Sequence, residues 1–381
     1  MPLLHAVLQS LLAAVLMFWD IFWALILGFA LSAIIMVFVP KAKMTRLLGR
    51  PGVKAIGLAA IFGAASSSCS YAAASMTRSI QRKGAHIIPA LAFLLASTNL
   101  VVELSSVLWI LLGWQFVVGE CLGGLVMIAV MATLMKLFGP LQEFREWRER
   151  EAAAEAADKE DEDNEETHRW LNLASWRAVA RAFVSEWRMI GKDIAIGMLI
   201  SGFLMTLVPD AFWASLFLKN RASEAGFDWP KAIENALVGP LVSMVSFVCS
   251  IGNIPLASVL YRGGIGFGGT LSFIYADLII IPLILVYRKY YGWRLALWIT
   301  GIFYVSMALT GLLMDVAFTA LGWVPKTNTP AQPPSQAFMM ATVGFRFNAT
   351  FWFNLVFAGV AVALVLLARS GEPAETDHCC H

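Results

Sequence analysis

Two short polar runs interrupt otherwise apolar stretches, and each contains a cysteine. Ser66-Ser67-Ser68-Cys69-Ser70 lies within residues 54–80, and Cys249-Ser250, with Gly252, Asn253 and Pro255 behind it, lies within residues 231–261. Thiolates bind soft metals and trivalent metalloids, whereas carboxylates suit hard cations. Cys69 and Cys249 are therefore candidate ligands for a soft, thiol-seeking solute. Ser68, Ser70, Ser250, Asn253 and Asn99 are candidate hydroxyl and amide partners around them. Free cysteine is also a common buried packing residue, and small residues also let helices pack closely, so a purely structural role stands beside the ligand role.

Six acids sit in apolar runs: Asp20, Glu103, Glu120, Asp193, Asp277 and Asp315. An ionisable group inside a membrane span is costly and marks function by default. Asp277 precedes Pro282, and Glu103 follows Ser97-Thr98-Asn99 at the matching place in the first half; these two are the candidates for proton coupling or gating. Pairing with a basic group or burial against a helix end is the structural alternative. Asp20, Asp193 and Asp315 read as interfacial or packing acids, and Glu120 has no assignment. His378-Cys379-Cys380-His381 closes the sequence with the ligand types of a zinc or copper(I) site. Four adjacent ligands do not readily wrap one tetrahedral ion, so the expectation is a flexible metal-catching tail or a tail without a role. No phosphate-binding Gly-x-x-x-x-Gly-Lys-Ser/Thr loop, His-Glu-x-x-His or Gly-x-Ser-x-Gly run occurs, so no nucleotide-driven or familiar hydrolytic chemistry is expected, nor a resident cofactor.

These residues need a bilayer to position them. The 381 residues are 59% hydrophobic and 14% charged, against about 25% charged in ordinary soluble domains. Net charge is +2, which offers no basic face for nucleic acid. Spanning takes about 20 apolar residues as a helix. Residues 10–39, 86–108, 114–138, 192–209, 267–287, 293–320 and 346–368 meet that requirement. The first is too long for a signal-peptide core and no small-residue cleavage site follows it, so it is expected to stay as a span. The two cysteine-bearing stretches are broken by glycine, proline and serine, and broken backbone survives at membrane depth only inside protein or along a cavity.

The organisation then reads as residues 1–140, a first membrane repeat; 141–190, a charged cytoplasmic linker; 191–321, a second membrane repeat; 322–345, an external loop; 346–369, a last span; and 370–381, a cytoplasmic tail. Cys69 and Cys249 lie 180 positions apart, and the same offset matches Ser66 with Ser246, Ser70 with Ser250, Arg82 with Arg262, Gly84 with Gly264, Leu91 with Leu271 and Phe93 with Phe273. Internal repeats are sought before a fold is assigned. Positive charge orients them. Lys41 to Lys54 and Arg78 to Lys83 form basic clusters in the first half, and the turn at Gly113 carries no charge. The corresponding turn in the second half, Arg288 to Arg294, is basic. The halves therefore read as inverted, with residues 54–80 re-entrant from the cytoplasm and residues 231–261 re-entrant from outside. The expected fold is an all-α polytopic membrane protein with inverted repeats, about seven full spans and two re-entrant, broken-helix hairpins, an architecture of transporters.

SSSCSYAAASMTRSIQRKGAHIIPALAFLLASTNLVVE and FVCSIGNIPLASVLYRGGIGFGGTLSFIYADLIIIPLILVYRKYYGW resemble the two halves of the predicted permease family that includes ArsP-type efflux proteins. The resemblance covers most of residues 54–138 and 231–315. In the first half Ser67 departs from the family's usual Cys-x-Cys-x-x-x-Pro, and no proline follows Cys69. The resemblance implies a secondary efflux permease in a bacterial inner membrane. It also implies a small solute, a trivalent organoarsenical or, as in related members, copper or zinc. Two other classes stay open. An intramembrane enzyme would need a base that no deep histidine supplies, His86 being at a hairpin edge. A membrane scaffold or sensor would be built on the acidic 141–168 segment and the cysteine tail.

Overall fold

The computed structural model describes residues 2–38, 41–66, 68–157, 172–207, 228–246, 250–262, 265–325 and 349–370. Among them every regular element is helical: α1 (Pro2–Phe38), α2 (Lys41–Leu48), α3 (Val53–Ser66), α4 (Ser70–Arg82), α5 (Ile87–Asn99), α6 (Val102–Leu111), α7 (Trp114–Phe138), α8 (Leu141–Ala157), α9 (Leu173–Leu207), α10 (Trp229–Ser246), α11 (Ser250–Arg262), α12 (Phe267–Tyr275), a 3₁₀ turn (Ala276–Leu278), α13 (Ile281–Tyr291), α14 (Trp293–Leu321) and α15 (Ala349–Arg369). Helices α7 and α14, and residues Thr350–Arg369 of α15, are each long and apolar enough to cross a bilayer, and α12 with α13 does so as a pair bent by 41°. A bilayer-depth chain satisfies its backbone groups within helices, which is why no other element is needed.

The repeat is visible in the backbone. Helices α4 and α11 start and end 180 positions apart, as do the starts of α5 and α12. Hydrogen bonds recur at the same offset. Ala85 N donates to Ile80 O and Ile265 N to Leu260 O, both at 3.2 Å; Ala90 N donates to His86 O at 3.2 Å and Thr270 N to Gly266 O at 3.0 Å. Ser66 Oγ bonds to Gly63 O at 2.7 Å and Ser246 Oγ to Ser243 O at 2.9 Å, so both hairpin arms end on the same serine device. Gly113 and Gly292 join the last two helices of each repeat with φ of +96° and +82°, backbone that a side chain would strain.

The contacts at the helix ends show that the repeats are inverted. His86 N bonds to Leu48 O at 2.8 Å, closing the base of the α3–α4 hairpin, and Ser68 N at its tip bonds to Ser97 O at 3.2 Å. Arg148 on α8 reaches Gly84 O, Trp147 Nε1 bonds to Tyr290 O at 3.0 Å, and Arg294 pairs with Glu143 at 2.9 Å. The base of the first hairpin and the α13–α14 turn therefore share one face, which is rich in arginine and lysine. On the opposite face Tyr261 Oη bonds to Pro325 O at 2.6 Å, Trp114 meets Trp323, and Phe267 stacks on Phe318. The α10–α11 hairpin therefore opens to that opposite face. Across the repeats α4 packs on α13, and α11 packs on α6, a reciprocal exchange.

Two sequence readings change. Residues 86–108 and 267–287, expected as continuous spans, are both broken: the first at Leu100–Val101, the second at the 3₁₀ turn and Ile279–Ile280. In the second half Pro282 opens α13 and cannot continue an upstream helix. In the first half Ser97, Thr98 and Asn99 bond back to the carbonyls of Leu94 and Leu95, a local competition with the helical ladder. Helix α9 begins at Leu173, inside the segment read as linker, because Val179, Ala180 and Phe183 form a buried stripe that packs on α1. Phe38 against Trp176 and Phe29 against Trp187 show the two helices running antiparallel. Asn354 of α15, fully buried, bonds to Trp19 O at 2.7 Å and accepts from Trp23 N at 2.9 Å, the same two groups a regular helix pairs with each other.

Candidate functional site

Ser70 is the first residue of α4, and its N-cap Cys69 has extended backbone and no side-chain cap bond. The start of this helix therefore offers its positive end to whatever lies beyond it. What lies there comes from the other repeat: Ser70 Oγ donates to Asp277 Oδ2 at 2.8 Å. Asp277 sits in the 3₁₀ turn between α12 and α13 and is 1% exposed. The break in the second span thus places a carboxylate against the tip of the first hairpin.

A second acid joins it from α7. Glu120 is 0% exposed and interacts electrostatically with Asp277, and neither of its carboxyl oxygens has a hydrogen-bond partner among the described residues. Tyr275 Oη bonds to Gly119 O at 2.8 Å, directly beside Glu120, and Gly123 lacks the Cβ that would overlap the tyrosine hydroxyl. Tyr287 Oη bonds to Leu278 O at 3.1 Å and lies within electrostatic reach of Asp277. The centre therefore holds two carboxyls, a serine and two phenols drawn from α4, α7, α12, the 3₁₀ turn and α13.

Residues 7–316 match the ArsP_1 family, whose members are described as predicted permeases. The chain belongs to this permease family. Relatives agree. It is 41% identical over 337 residues to Rv2963 of Mycobacterium tuberculosis, a protein named as a permease; the alignment covers 86% of this chain and 80% of that one. It is 28% identical over 123 residues to YraQ of Escherichia coli, a UPF0718 protein, covering 32% of this chain and 36% of that one. No solved structure matches it.

In this permease the sequence-expected residues fall into three groups. Asp277 and Ser70 are brought together. Ser68, Asn99 and Asn253 are buried close to their own hairpin or break: Ser68 Oγ bonds to Ser66 O at 3.1 Å, Asn99 Nδ2 to Leu95 O at 3.0 Å, and Asn253 Nδ2 to Ser243 Oγ at 3.3 Å. Asn253 Oδ1 has no hydrogen-bond partner among the described residues, so the second hairpin keeps one free acceptor. Cys69 is half-buried at the N-cap of α4. Cys249, the side chains of Ser250 and Glu103, and the tail His378, Cys379, Cys380 and His381 lie outside the described residues. Among the described residues no group of three or more His, Cys, Asp or Glu could hold a metal ion.

Glu120 is the candidate residue that the sequence alone leaves unassigned. Its signal was present, an acid in the middle of an apolar span, but its partner lies in the other repeat. Asp315, read as an interfacial or packing acid, lies against the first turn of α12: its carboxyl accepts the N–H of Gly268, where a negative group complements the helix end. Gly268 packs directly against Asp315 and Gly311.

Proposed function

We propose that this permease is a secondary exporter of a soft, thiol-seeking solute, with a trivalent organoarsenical as its leading substrate and protons taken up in exchange at Asp277 and Glu120. The observation that carries this reading is the Ser70–Asp277 bond between the inverted repeats, one residue from Cys69 and beside Glu120, whose carboxyl has no hydrogen-bond partner among the described residues. Broken helices that meet between inverted repeats are where transporters bind solute and coupling ion. A thiol at the hairpin tip suits a soft centre, and two buried acids suit a proton.

The basic face is assigned to the cytoplasm by the positive-inside rule. Reporter fusions after residues 150 and 375 are expected to report inside, and one near residue 328 outside. Opposite locations for the 150 and 375 fusions contradict the inverted arrangement.

The substrate is tested with a metalloid-sensitive bacterial host expressing the chain and challenged with methylarsenite, arsenite, antimonite, copper and zinc. Resistance to methylarsenite is expected, with solute accumulating unchanged in everted vesicles, which also separates a permease from an enzyme. Cys69→Ser nearly preserves volume but replaces a soft ligand by a hard one, and resistance should be lost at normal membrane expression. Full resistance in Cys69→Ser and in the double variant with Cys249→Ser reduces the cysteines to packing. Resistance confined to copper or zinc moves the substrate to the metal-exporting branch.

A further inference from the structure

Helix α2 is held against the base of the first hairpin. Its Met44 and Leu48, one turn apart, are buried with Ala59 of α3 and with Met76 and Ile80 of α4, and Leu48 O accepts from His86 N at 2.8 Å. What this segment leaves outside is cationic. Lys43, Arg46, Arg50 and Lys54 are exposed between α2 and the start of α3, and none of them forms an ion pair among the described residues. No aspartate or glutamate occurs between Asp20 and Glu103, so the first hairpin carries no acid to neutralise them. The acids of α8, on the same basic face, are engaged with other cations: Glu143 with Arg294, Glu146 with Arg150, Glu149 with Arg145, and Glu151 with Arg78 and Arg82.

The four cations stand at the end of an apolar strip. Helix α3 runs from the hairpin base toward the tip and buries Ala55, Ala59, Ala60 and Gly63 on one side. Its other side presents Val53, Gly57 and Ile61 at a spacing of four, so they lie one above the other, with Phe62 beside them. Val53 is 84% and Ile61 66% exposed. A Cβ on Gly57 would meet nothing within 4 Å, which leaves a notch between the two large side chains, one turn from Lys54. Positive charge at the basic face, continued toward the hairpin tip by an exposed apolar strip, matches an amphiphile with an anionic head and a hydrocarbon chain. A soluble anion or an acidic peptide would answer the cations and leave the strip uncovered. A zwitterionic headgroup carries its own cation, so four cations without acids favour a headgroup of net negative charge.

We infer that α2 and α3 form a seat for an anionic phospholipid of the leaflet at the basic face. Its headgroup lies among Lys43, Arg46, Arg50 and Lys54, and an acyl chain lies in the notch at Gly57 between Val53 and Ile61. Because α2 and α3 share a buried cluster with α4, the seated lipid steadies the base of the hairpin whose tip residue Ser70 bonds to Asp277.

The test uses the full chain purified in detergent with phosphatidylcholine and titrated with phosphatidylglycerol. Retained lipid is counted by native mass spectrometry, and the thermal midpoint is followed in parallel. Phosphatidylglycerol is expected to be retained and to raise the midpoint, and added phosphatidylcholine is not. Arg50→Gln and Lys54→Gln should each weaken binding about fivefold, the scale of one basic residue at an anionic surface. Gly57→Phe fills the notch without changing charge and should remove most of the midpoint rise. Arg150→Gln, which removes an exposed cation of α8 on the same face, should leave binding unchanged. Lys43→Gln and Arg46→Gln repeat the comparison should the Arg50 variant fail to fold. The inference is overturned if the two lipids act alike, if Arg150→Gln weakens binding as much as the Arg50 and Lys54 variants, or if Gly57→Phe has no effect. An equal midpoint rise with glycerol 3-phosphate overturns it in favour of a soluble anion. Phosphatidylglycerol binding that emerges only after deletion of residues 158–168 overturns it in favour of the chain's own acidic tract.

Discussion

Glu120→Gln and Asp277→Asn are each expected to reduce pH-driven transport to the level of protein-free vesicles while leaving solute binding in place. An amide keeps the shape of a carboxyl group and its hydrogen bonding but cannot titrate. Asp277 is held by Ser70 at 2.8 Å, so Ser70→Ala should lower the rate about tenfold rather than abolish transport, the scale of a hydrogen bond to a charged group. The assay is solute uptake into everted vesicles under an imposed pH gradient, paired with equilibrium binding of the same solute. Glu103→Gln belongs in the set, because the sequence marks Glu103 with Asp277 as a coupling candidate. Loss of coupling in Glu103→Gln with full activity in Glu120→Gln would move the coupling role to α6. Full pH-driven transport by both Glu120→Gln and Asp277→Asn would return the pair to packing.

The second large effect is steric. Helices α10 and α12 meet backbone to backbone: a Cβ on Gly239 would overlap Ser272 Oγ and lie 2.7 Å from Gly269 O and 3.0 Å from Phe273 N. Two of those atoms are main chain and cannot swing aside, so the hairpin arm must move away from the broken span it supports. Gly239→Val should cost ~3 kcal/mol or more, the upper range for overpacking. Size-exclusion profiles and thermal midpoints in detergent read the loss. Gly301→Ala is the control, since a Cβ there meets nothing within 4 Å and alanine favours a helix over glycine. Equal midpoints for the two variants would mean that the α10–α12 contact tolerates separation.

Much of this architecture was legible in one dimension. The bilayer as solvent follows from 59% hydrophobic residues with 14% charged, a property of composition. The repeat follows from residues matched 180 positions apart, and the helix ends and turn bonds recur at that same offset. The opposed directions of the two hairpins follow from where arginine and lysine collect, since charge stays on one side of a membrane however the helices pack. Asp277 stood out because an acid in an apolar run is conspicuous wherever it ends up.

Tertiary structure decided the rest. The break at Leu100–Val101 is invisible to hydropathy, because it rests on Ser97, Thr98 and Asn99 turning their side chains back onto carbonyls of Leu94 and Leu95. The hairpin tip holds it there through the bond from Ser68 N to Ser97 O. The early start of α9 depends on α1 being present to cover Val179 and Phe183. The sequence left Glu120 without an assignment, and only packing brings it to Asp277. The sequence offers Glu103, in the matching region of the first half, as the other coupling candidate, while at the offset of 180 itself Asp277 matches Ser97. Among the described side chains, Glu120 of α7 comes within electrostatic reach of Asp277, which Ser70 of α4 bonds, where the two repeats cross. A repeat relates positions that are equivalent, whereas a site is made of positions that touch, and only the packing of one repeat against the other turns the first relation into the second.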